Sequence, residues 1–278
     1  MKPRLLMCAP RHFEVAYVIN PWMEGNVAHG SNAAASRQWN ALVALLRRFA
    51  TVETIGAAPG VPDMVFTANA GLVLGRSCVL SRFVHPERRL EEPHFERWFA
   101  EHGFDVRLLP QDLRFEGAGD ALFDRRLPLL WMGHGHRTDA AAAAAIARML
   151  DVEVEPLGLV NPRFYHLDTC FCALDGGALL YHPAAFDAAS RARIDALVPP
   201  ALRIAVDHED TQDFACNAIN IGRDIILNRA SDTLIAALAA HGFRVHQTPL
   251  GEFMKAGGSA KCLSLKLDEM RVSACAAA

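Results

Sequence analysis

Three residue types able to do covalent and proton-transfer chemistry stand in distinctive surroundings along the 278-residue chain. Cys262 closes the run Lys255-Ala-Gly-Gly-Ser-Ala-Lys-Cys262. The glycine pair lets backbone approach a ligand closely, and Lys261 next door favours a thiolate. His166 lies in Phe164-Tyr-His-Leu-Asp-Thr-Cys170. On an extended segment it and Asp168 point the same way. That pairing suits a general acid/base beside a carboxylate, or a carboxylate that holds a cation. Glu116 and Asp120 flank the glycines of Phe115-Glu-Gly-Ala-Gly-Asp120. No helix clearly opens after that stretch, so two carboxylates around glycines fit a cationic ligand better than a phosphate. Pro62-Asp-Met-Val-Phe-Thr-Ala-Asn69 sets an acid, an aromatic and an amide before a turn. There Phe66 is suited to wall an apolar slot.

Each motif also has a plainer explanation. Cys262 fits a small core residue at a strand start, His166 and Asp168 a surface strand, and the Glu116 segment a polar turn. Taken one at a time, the motifs leave both open. His134-Gly-His136 and Cys170-Phe-Cys172 look like metal ligands, yet one residue between ligands without a matching second pair is poor zinc spacing. Asp207-His208-Glu209-Asp210 reads as a solvated loop. No metal is expected.

Composition narrows the function classes. Hydrophobic residues make up 51% and charged residues 21%, which is globular. The formal net charge is −3, so no basic excess exists to hold a nucleic-acid backbone. No apolar run approaches the roughly 18 residues of a membrane span. Pro10, Arg11 and His12 break any signal-peptide core. Seven cysteines (Cys8, Cys78, Cys170, Cys172, Cys216, Cys262 and Cys275) are an odd number without a secretion signal. Reduced cytoplasmic thiols are the expectation.

The elements that must position these residues repeat. Gly71–Leu80, Ala121–Trp131, Phe171–Tyr181 and Ala218–Leu227 each read as a hairpin. A helical pattern follows each, over 87–101, 140–150, 188–197 and 231–241, with Ser231 as an N-cap and Gly103 and Gly242 as C-terminal stops. Another strand comes next, at 105–109, 152–156, 202–206 and 244–247. A fifth unit straddles the termini. Its hairpin pairs 262–267 with 4–8, its helix runs 34–49 and its last strand 52–55. Five ββαβ units closing end on end make an α/β ring without free edges. The loop entering each hairpin then recurs at one end near the axis, carrying Asn69, Glu116, His166, Asn217 and Cys262 at spacings of 47, 50, 51 and 45 residues. Glu, His and Cys therefore meet because of the repeat.

Taken together, the motifs Phe66-Thr-Ala-Asn69, Glu116-Gly-Ala-Gly-Asp120, His166-Leu-Asp-Thr169 and Gly257-Gly-Ser-Ala-Lys-Cys262 resemble, in order, those of the guanidino-group-modifying or pentein superfamily. That superfamily includes arginine deiminases, dimethylarginine dimethylaminohydrolases and amidinotransferases. The resemblance spans essentially the whole chain and implies a five-bladed α/β propeller, with residues 1–278 as a single catalytic domain. Val18-Ile-Asn-Pro-Trp-Met23 and Asn69 are most similar to the arginine dihydrolase domain of some cyanobacterial proteins, which turns arginine into ornithine, ammonia and carbon dioxide. Arginine deiminases typically carry Asp where this chain has Asn69. Because the chain ends soon after Cys262, a stand-alone domain is expected.

The resemblance implies Cys262 as nucleophile, His166 as acid/base, and Glu116 and Asp168 as guanidinium ligands. Asn20 and Asn69 line the same pocket. Arg88 and Arg137 clamp the substrate α-carboxylate, and Asp120 holds the α-amino group. It implies no cofactor, arginine or a methylated arginine as the small-molecule partner, no nucleic acid or membrane, and room for a homo-oligomer. Alternatives stay open: a dimethylaminohydrolase or deiminase ending at citrulline, an amidinotransferase with an amine acceptor, or a non-catalytic binding ring. Keeping Cys262, His166 and Glu116 speaks against the last.

Overall fold

Five three-stranded sheets surround a common axis in the computed structural model, which describes residues 2–272. In each sheet an antiparallel hairpin is extended by a third strand lying parallel to its second. A parallel neighbour cannot be reached by a tight turn, so a helix makes each crossover. The sheets comprise Gly71–Leu74, Ser77–Leu80 and Asp105–Arg107; Ala121–Phe123, Leu129–His134 and Glu153–Gly158; Phe171–Ala173, Leu179–Tyr181 and Arg203–Ala205; and Ile219–Ile221, Asp224–Leu227 and Arg244–Gln247. The fifth joins the two ends of the described chain. Leu265–Lys266 runs antiparallel to Arg4–Cys8, with Leu5 opposite Lys266, and Thr51–Ile55 lies parallel on the other side. The chain thus forms the five-bladed α/β propeller that its repeat predicts.

The helices form where apolar residues recur at helical spacing and a cap starts them. Glu92–Glu101 buries Phe95, Trp98 and Phe99. Ala142–Leu150 buries Ala142, Ala145, Ile146 and Leu150 against its sheet. Truncating a ring such as Phe99 to Ala costs about 3–5 kcal/mol in a core of this kind. Ser31, Asp187 and Ser231 accept the N–H of the residue three further on and start the helices Asn32–Leu46, Ala188–Leu197 and Asp232–Ala240. Gly103 and Gly242 follow two helix ends with φ of 77° and 82°.

Three expectations shift. The helix expected over 87–101 is broken into Pro86–Arg89 and Glu92–Glu101. Pro93 sits at the start of the second piece, and Glu91 between them is buried against Arg88. The hairpin strand expected from Cys262 begins only at Leu265. The Cys262 N–H goes to the Asn217 side chain at 3.1 Å, and its carbonyl accepts from Ala68 N at 3.1 Å, so neither joins a ladder. Residues 207–210 are solvated at Asp207, His208 and Glu209 as expected, but they do not form a loop. Asp207 caps the short helix His208–Gln212, and the buried Asp210 accepts from Ser231 N and Oγ at 2.6 and 2.7 Å.

The six described cysteines are unpaired and buried, and Cys275 lies outside the described residues. Among the described residues no helix is long and apolar enough to cross a membrane.

Candidate active site

The loops that enter the five hairpins are tied to one another around the axis. Asn69 Nδ2 donates to the Glu116 carbonyl at 3.4 Å. His166 Nε2 meets Glu116 Oε2 at 2.7 Å. Two residues beyond His166, the Asp168 carbonyl accepts from Asn217 Nδ2 at 3.0 Å. Asn217 Nδ2 also lies 3.0 Å from Cys262 Sγ, and the Cys262 carbonyl accepts from Ala68, next to Asn69. The circle of contacts closes, and the near-equal spacing in sequence becomes adjacency in space.

One corner of the site is built on Glu116. Its carboxylate accepts from Arg137 Nη1 at 3.0 Å and from His166, with all three side chains buried. Burial alone pushes the Glu116 pKa up, but the Arg137 charge and the His166 hydrogen bond outweigh it and hold the group well below its usual range. Burial lowers His166 to about 4 against the opposing pull of Glu116, so the imidazole is neutral near pH 7. Ionised Glu116 only accepts, so the ring proton belongs on Nε2. Nδ1 is buried without a partner among the described residues, and its lone pair is free to take a proton.

The other corner joins Asp168 to Cys262. The sulfur lies 3.6 and 3.4 Å from the two carboxylate oxygens. Burial raises Asp168 to about 6, only partly opposed by the charge of Lys261 and by bonds from Cys262 and Asn217. Burial, reinforced by Asp168, pushes the Cys262 thiol well above its ordinary value; the Ser259 backbone, Asn217 and Lys261 do not reverse this. The expected thiolate-favouring role of Lys261 is therefore too weak by itself. Its ammonium is held by the Ala118 carbonyl at 3.3 Å.

Ile19, Asn20, Met23, Asp63, Phe66, Asn69, Arg88, Arg137, Tyr165, Ala256, Gly258 and Cys262 line the cleft above this pair. Asn20, Phe66, Asn69, Arg88 and Arg137 of the expected set are thus gathered here, with Glu116, His166 and Asp168 in contact behind them. Arg88 is nearly saturated. It grips Glu91 through Nε and Nη2 at 2.8 and 2.9 Å and donates from Nη1 to Asn69 Oδ1 at 2.9 Å. Arg137 stacks on the Tyr165 ring and donates to the Ile19 carbonyl at 2.8 Å. Arg88 belongs to the short helix Pro86–Arg89 and reaches the cleft from there.

Asp120 does not line the cleft. Its two oxygens accept from Leu167 N at 3.0 Å and Thr138 Oγ1 at 2.6 Å, tying its loop to the next. Asp63 occupies the cleft wall instead, one oxygen accepting from Tyr17 at 2.9 Å and Oδ1 buried without a described partner. The only sequence sign of Asp63 was an acid close to Phe66 and Asn69. Tyr165 was also unmarked; its hydroxyl donates to the Gly257 carbonyl at 2.7 Å. The glycine pair leaves room for the walls of the cleft, which Gly258 itself lines. Gly257 has φ of 89°, and a Cβ there would lie 2.6 Å from the Tyr165 hydroxyl, while one on Gly258 would collide with the Phe66 ring. Among the described residues no group of three or more His, Cys, Asp or Glu side chains could hold a metal ion.

Comparison with known proteins agrees with this fold. The profile of the family described as N,N dimethylarginine dimethylhydrolase, eukaryotic, matches residues 20–267. The bifunctional arginine dihydrolase/ornithine cyclodeaminase ArgZ of Synechocystis sp. is 56% identical over 266 residues, covering 96% of this chain and 38% of that protein. The N(G),N(G)-dimethylarginine dimethylaminohydrolase of Mycobacterium tuberculosis is 39% identical over 267 residues, covering 95% of this chain and 85% of that one. Of the solved structures, the product-bound N-terminal domain of the cyanobacterial ArgZ has a TM-score of 0.97 at 54% identity, over 98% of this chain and all of that one. This chain spans well under half the length of the bifunctional relatives. With a family match over nearly its whole length and the propeller to go with it, the chain belongs to the dimethylarginine dimethylhydrolase family of guanidino-group-modifying penteins.

Proposed function

We propose that the chain hydrolyses the guanidino group of arginine with Cys262 as nucleophile, carrying arginine through citrulline to ornithine, ammonia and carbon dioxide. The observation that carries this reading is the meeting of Cys262, Asp168, His166 and Glu116 beneath a cleft walled by Arg88, Arg137 and Asp63. ArgZ and AgrE, both arginine dihydrolases by name, support the choice of reaction.

The electrostatics suggest the order of events. Burial and Asp168 keep Cys262 a thiol in the resting site. A guanidinium cation brought beside both groups lets the sulfur ionise. The proton moves to Nδ1 of His166, the open ring nitrogen. The sulfur attacks the guanidino carbon. His166 returns the proton to the departing nitrogen, which leaves as ammonia, and a thiouronium remains on Cys262. His166 then takes a proton from water, the oxygen adds to the same carbon, and the sulfur leaves to give citrulline. Repetition on the ureido carbon expels the second ammonia and leaves a thiocarbamate on Cys262; water releases it as the carbamate of ornithine, whose C–N bond then breaks to give carbon dioxide and ornithine. The urea is neutral, so an amide suits it better than another carboxylate. Asn69 has its carbonyl oxygen engaged by Arg88 and one N–H in a long contact to Glu116, which leaves the other N–H for a urea oxygen. Remaining N–H groups of Arg137 and Arg88 take the α-carboxylate, and Asp63 Oδ1, rather than Asp120, takes the α-amino group. We place the enzyme in a reducing compartment such as the cytoplasm, which suits its unpaired thiols.

The family profile favours a second reading, dimethylarginine hydrolysed to citrulline. One assay separates them: purified protein with arginine alone, and dimethylarginine in parallel, following citrulline, ornithine and ammonia. Ornithine with two ammonia per arginine supports the dihydrolase. Citrulline as the end product from either substrate removes the second round, and no product from either removes both readings.

A further inference from the structure

Asn217 stands in the circle of loops where the other blades contribute Asn69, Glu116, His166 and Cys262, yet the chemistry above gives it nothing to do. It is fully buried, and every polar group of its side chain is engaged. Oδ1 accepts the Cys262 N–H at 3.1 Å. One Nδ2 hydrogen goes to the Asp168 carbonyl at 3.0 Å, and the other faces Cys262 Sγ at 3.0 Å. The Asn217 main-chain carbonyl accepts the Lys261 N–H at 3.2 Å. Two successive peptide N–H groups, of Lys261 and Cys262, are therefore clipped by one residue.

This pattern leaves the amide a single orientation. Turned over, its NH₂ would face the Cys262 N–H, and its oxygen would face the Asp168 carbonyl, so both contacts become repulsive. The backbone that delivers Asn217 is also constrained. Phe214 has φ of 58°, a left-handed conformation rare for a side chain of that size, and its carbonyl accepts the Asn217 N–H at 2.9 Å. Its ring packs on Trp22 with centroids 4.4 Å apart, and Trp22 lies two residues after the cleft residue Asn20.

We propose that Asn217 is a positioning residue of this site: its amide aims the Cys262 sulfur, by clamping the peptide that carries it and by donating a hydrogen bond to Sγ. The proposal deepens the reading of Cys262 as nucleophile and rests on it. A thiolate accepts such a bond more strongly than a thiol. The donor therefore counteracts Asp168, which opposes ionisation of the sulfur; Lys261 and Tyr165 are the other titratable groups acting there. The same amide anchors the main chain of Asp168, so one residue sets the separation of the carboxylate and the sulfur.

The test is iodoacetamide alkylation of Cys262 across pH, read by peptide mass mapping, in the parent chain and in Asn217→Asp and Asn217→Ala. Asp keeps the shape and the acceptor for the Cys262 N–H but removes the donors to sulfur and to the Asp168 carbonyl and adds a charge; Ala removes donors and acceptor without adding one. The expected result is an alkylation profile moved upward by about one pH unit or more in both variants. With arginine, kcat falls about 10- to 100-fold, the worth of one hydrogen bond to a charged group, and KM stays within about threefold. A folded Asn217→Asp protein with the parental profile overturns the proposal. Failure of both variants to fold also overturns it, since Asn217 is then a packing residue. The alkylation readout needs no substrate. A shifted profile in a chain inert toward arginine and dimethylarginine removes the functional reading and leaves the role of Asn217 standing; an unshifted profile in an active chain does the reverse.

Discussion

Glu116 and Asp168 are both wholly buried carboxylates, set in neighbouring loops of the same ring, and they are held in opposite ways. Burial pushes both upward. Glu116 has a guanidinium at 3.0 Å and an imidazole at 2.7 Å, and these hold it ionised. Asp168 has a thiol, an amide and a more distant ammonium, and it rises to about 6. Burial is common to the two, so the partner decides. One carboxylate becomes a fixed charge that orients His166. The other stays close to its protonation balance and is ready to respond when a cation arrives.

The largest loss is expected on removing the atom that attacks between the two corners. Cys262→Ser is expected to lower turnover by more than about 10⁴-fold, since members of such a unit act together. Circular dichroism and thermal melting should show an intact fold, because the hydroxyl fits the same space. Turnover near the parental rate ends the covalent scheme.

Next comes the fixed charge. Glu116→Gln leaves Arg137 buried without its counter-ion and His166 without its anchor. Turnover should fall about 10²- to 10⁴-fold. Stability should fall by about 3–5 kcal/mol at neutral pH, as when one partner of a buried pair is removed. The folded pKa of Glu116 is depressed, so its stabilisation is present above the unfolded value and lost as pH falls through the folded one. Denaturant midpoints of parent and variant should therefore converge in acid.

Asp168→Asn sharpens the contrast from the other side. Its folded pKa of about 6 exceeds the ordinary 3.8, so the folded state binds a proton that the unfolded chain lacks between those values. The ionised carboxylate is a cost at pH 7 that is relieved as pH falls through about 6. The Asn variant should be inactive yet more stable at pH 7, by an amount on the order of 2–3 kcal/mol. That gain should shrink below pH 6. A variant less stable than the parent at pH 7 contradicts this account of the two acids.

The smallest expected effect is on product rather than rate. Asn69→Asp adds a carboxylate beside Arg88 and replaces the amide donor, so citrulline should accumulate in place of ornithine. Product ratios by chromatography test it, and ornithine made at the parental rate rules out this use of Asn69.

Much of this was legible in the residues themselves. The helix over 188–197 and the strand over 244–247 follow local patterns and appear at those bounds. The ring was legible because each ββαβ unit has an apolar face that only its neighbours can cover. Cys262, His166 and Glu116 could be singled out together because their loops recur at near-constant spacing, and Asp168 through its motif with His166 and the family resemblance.

Direction inside a loop has no such periodicity. Asp63 and Asp120 are both acids in short helical turns ahead of hairpins, and nothing local says that the first faces the cleft while the second ties two loops together. The hold of Arg88 on Glu91 and Asn69 at the cleft is likewise set by contacts that helical spacing does not show. Charge states were decided entirely by the tertiary structure. Whether a buried carboxylate stays ionised depends on groups brought from elsewhere in the ring, such as Arg137 beside Glu116 or Asn217 beside Asp168. Which loops meet at the axis follows from apolar periodicity, which is written locally. Folding decided which of their residues are charged and which way they point, because electrostatics acts through space across blades.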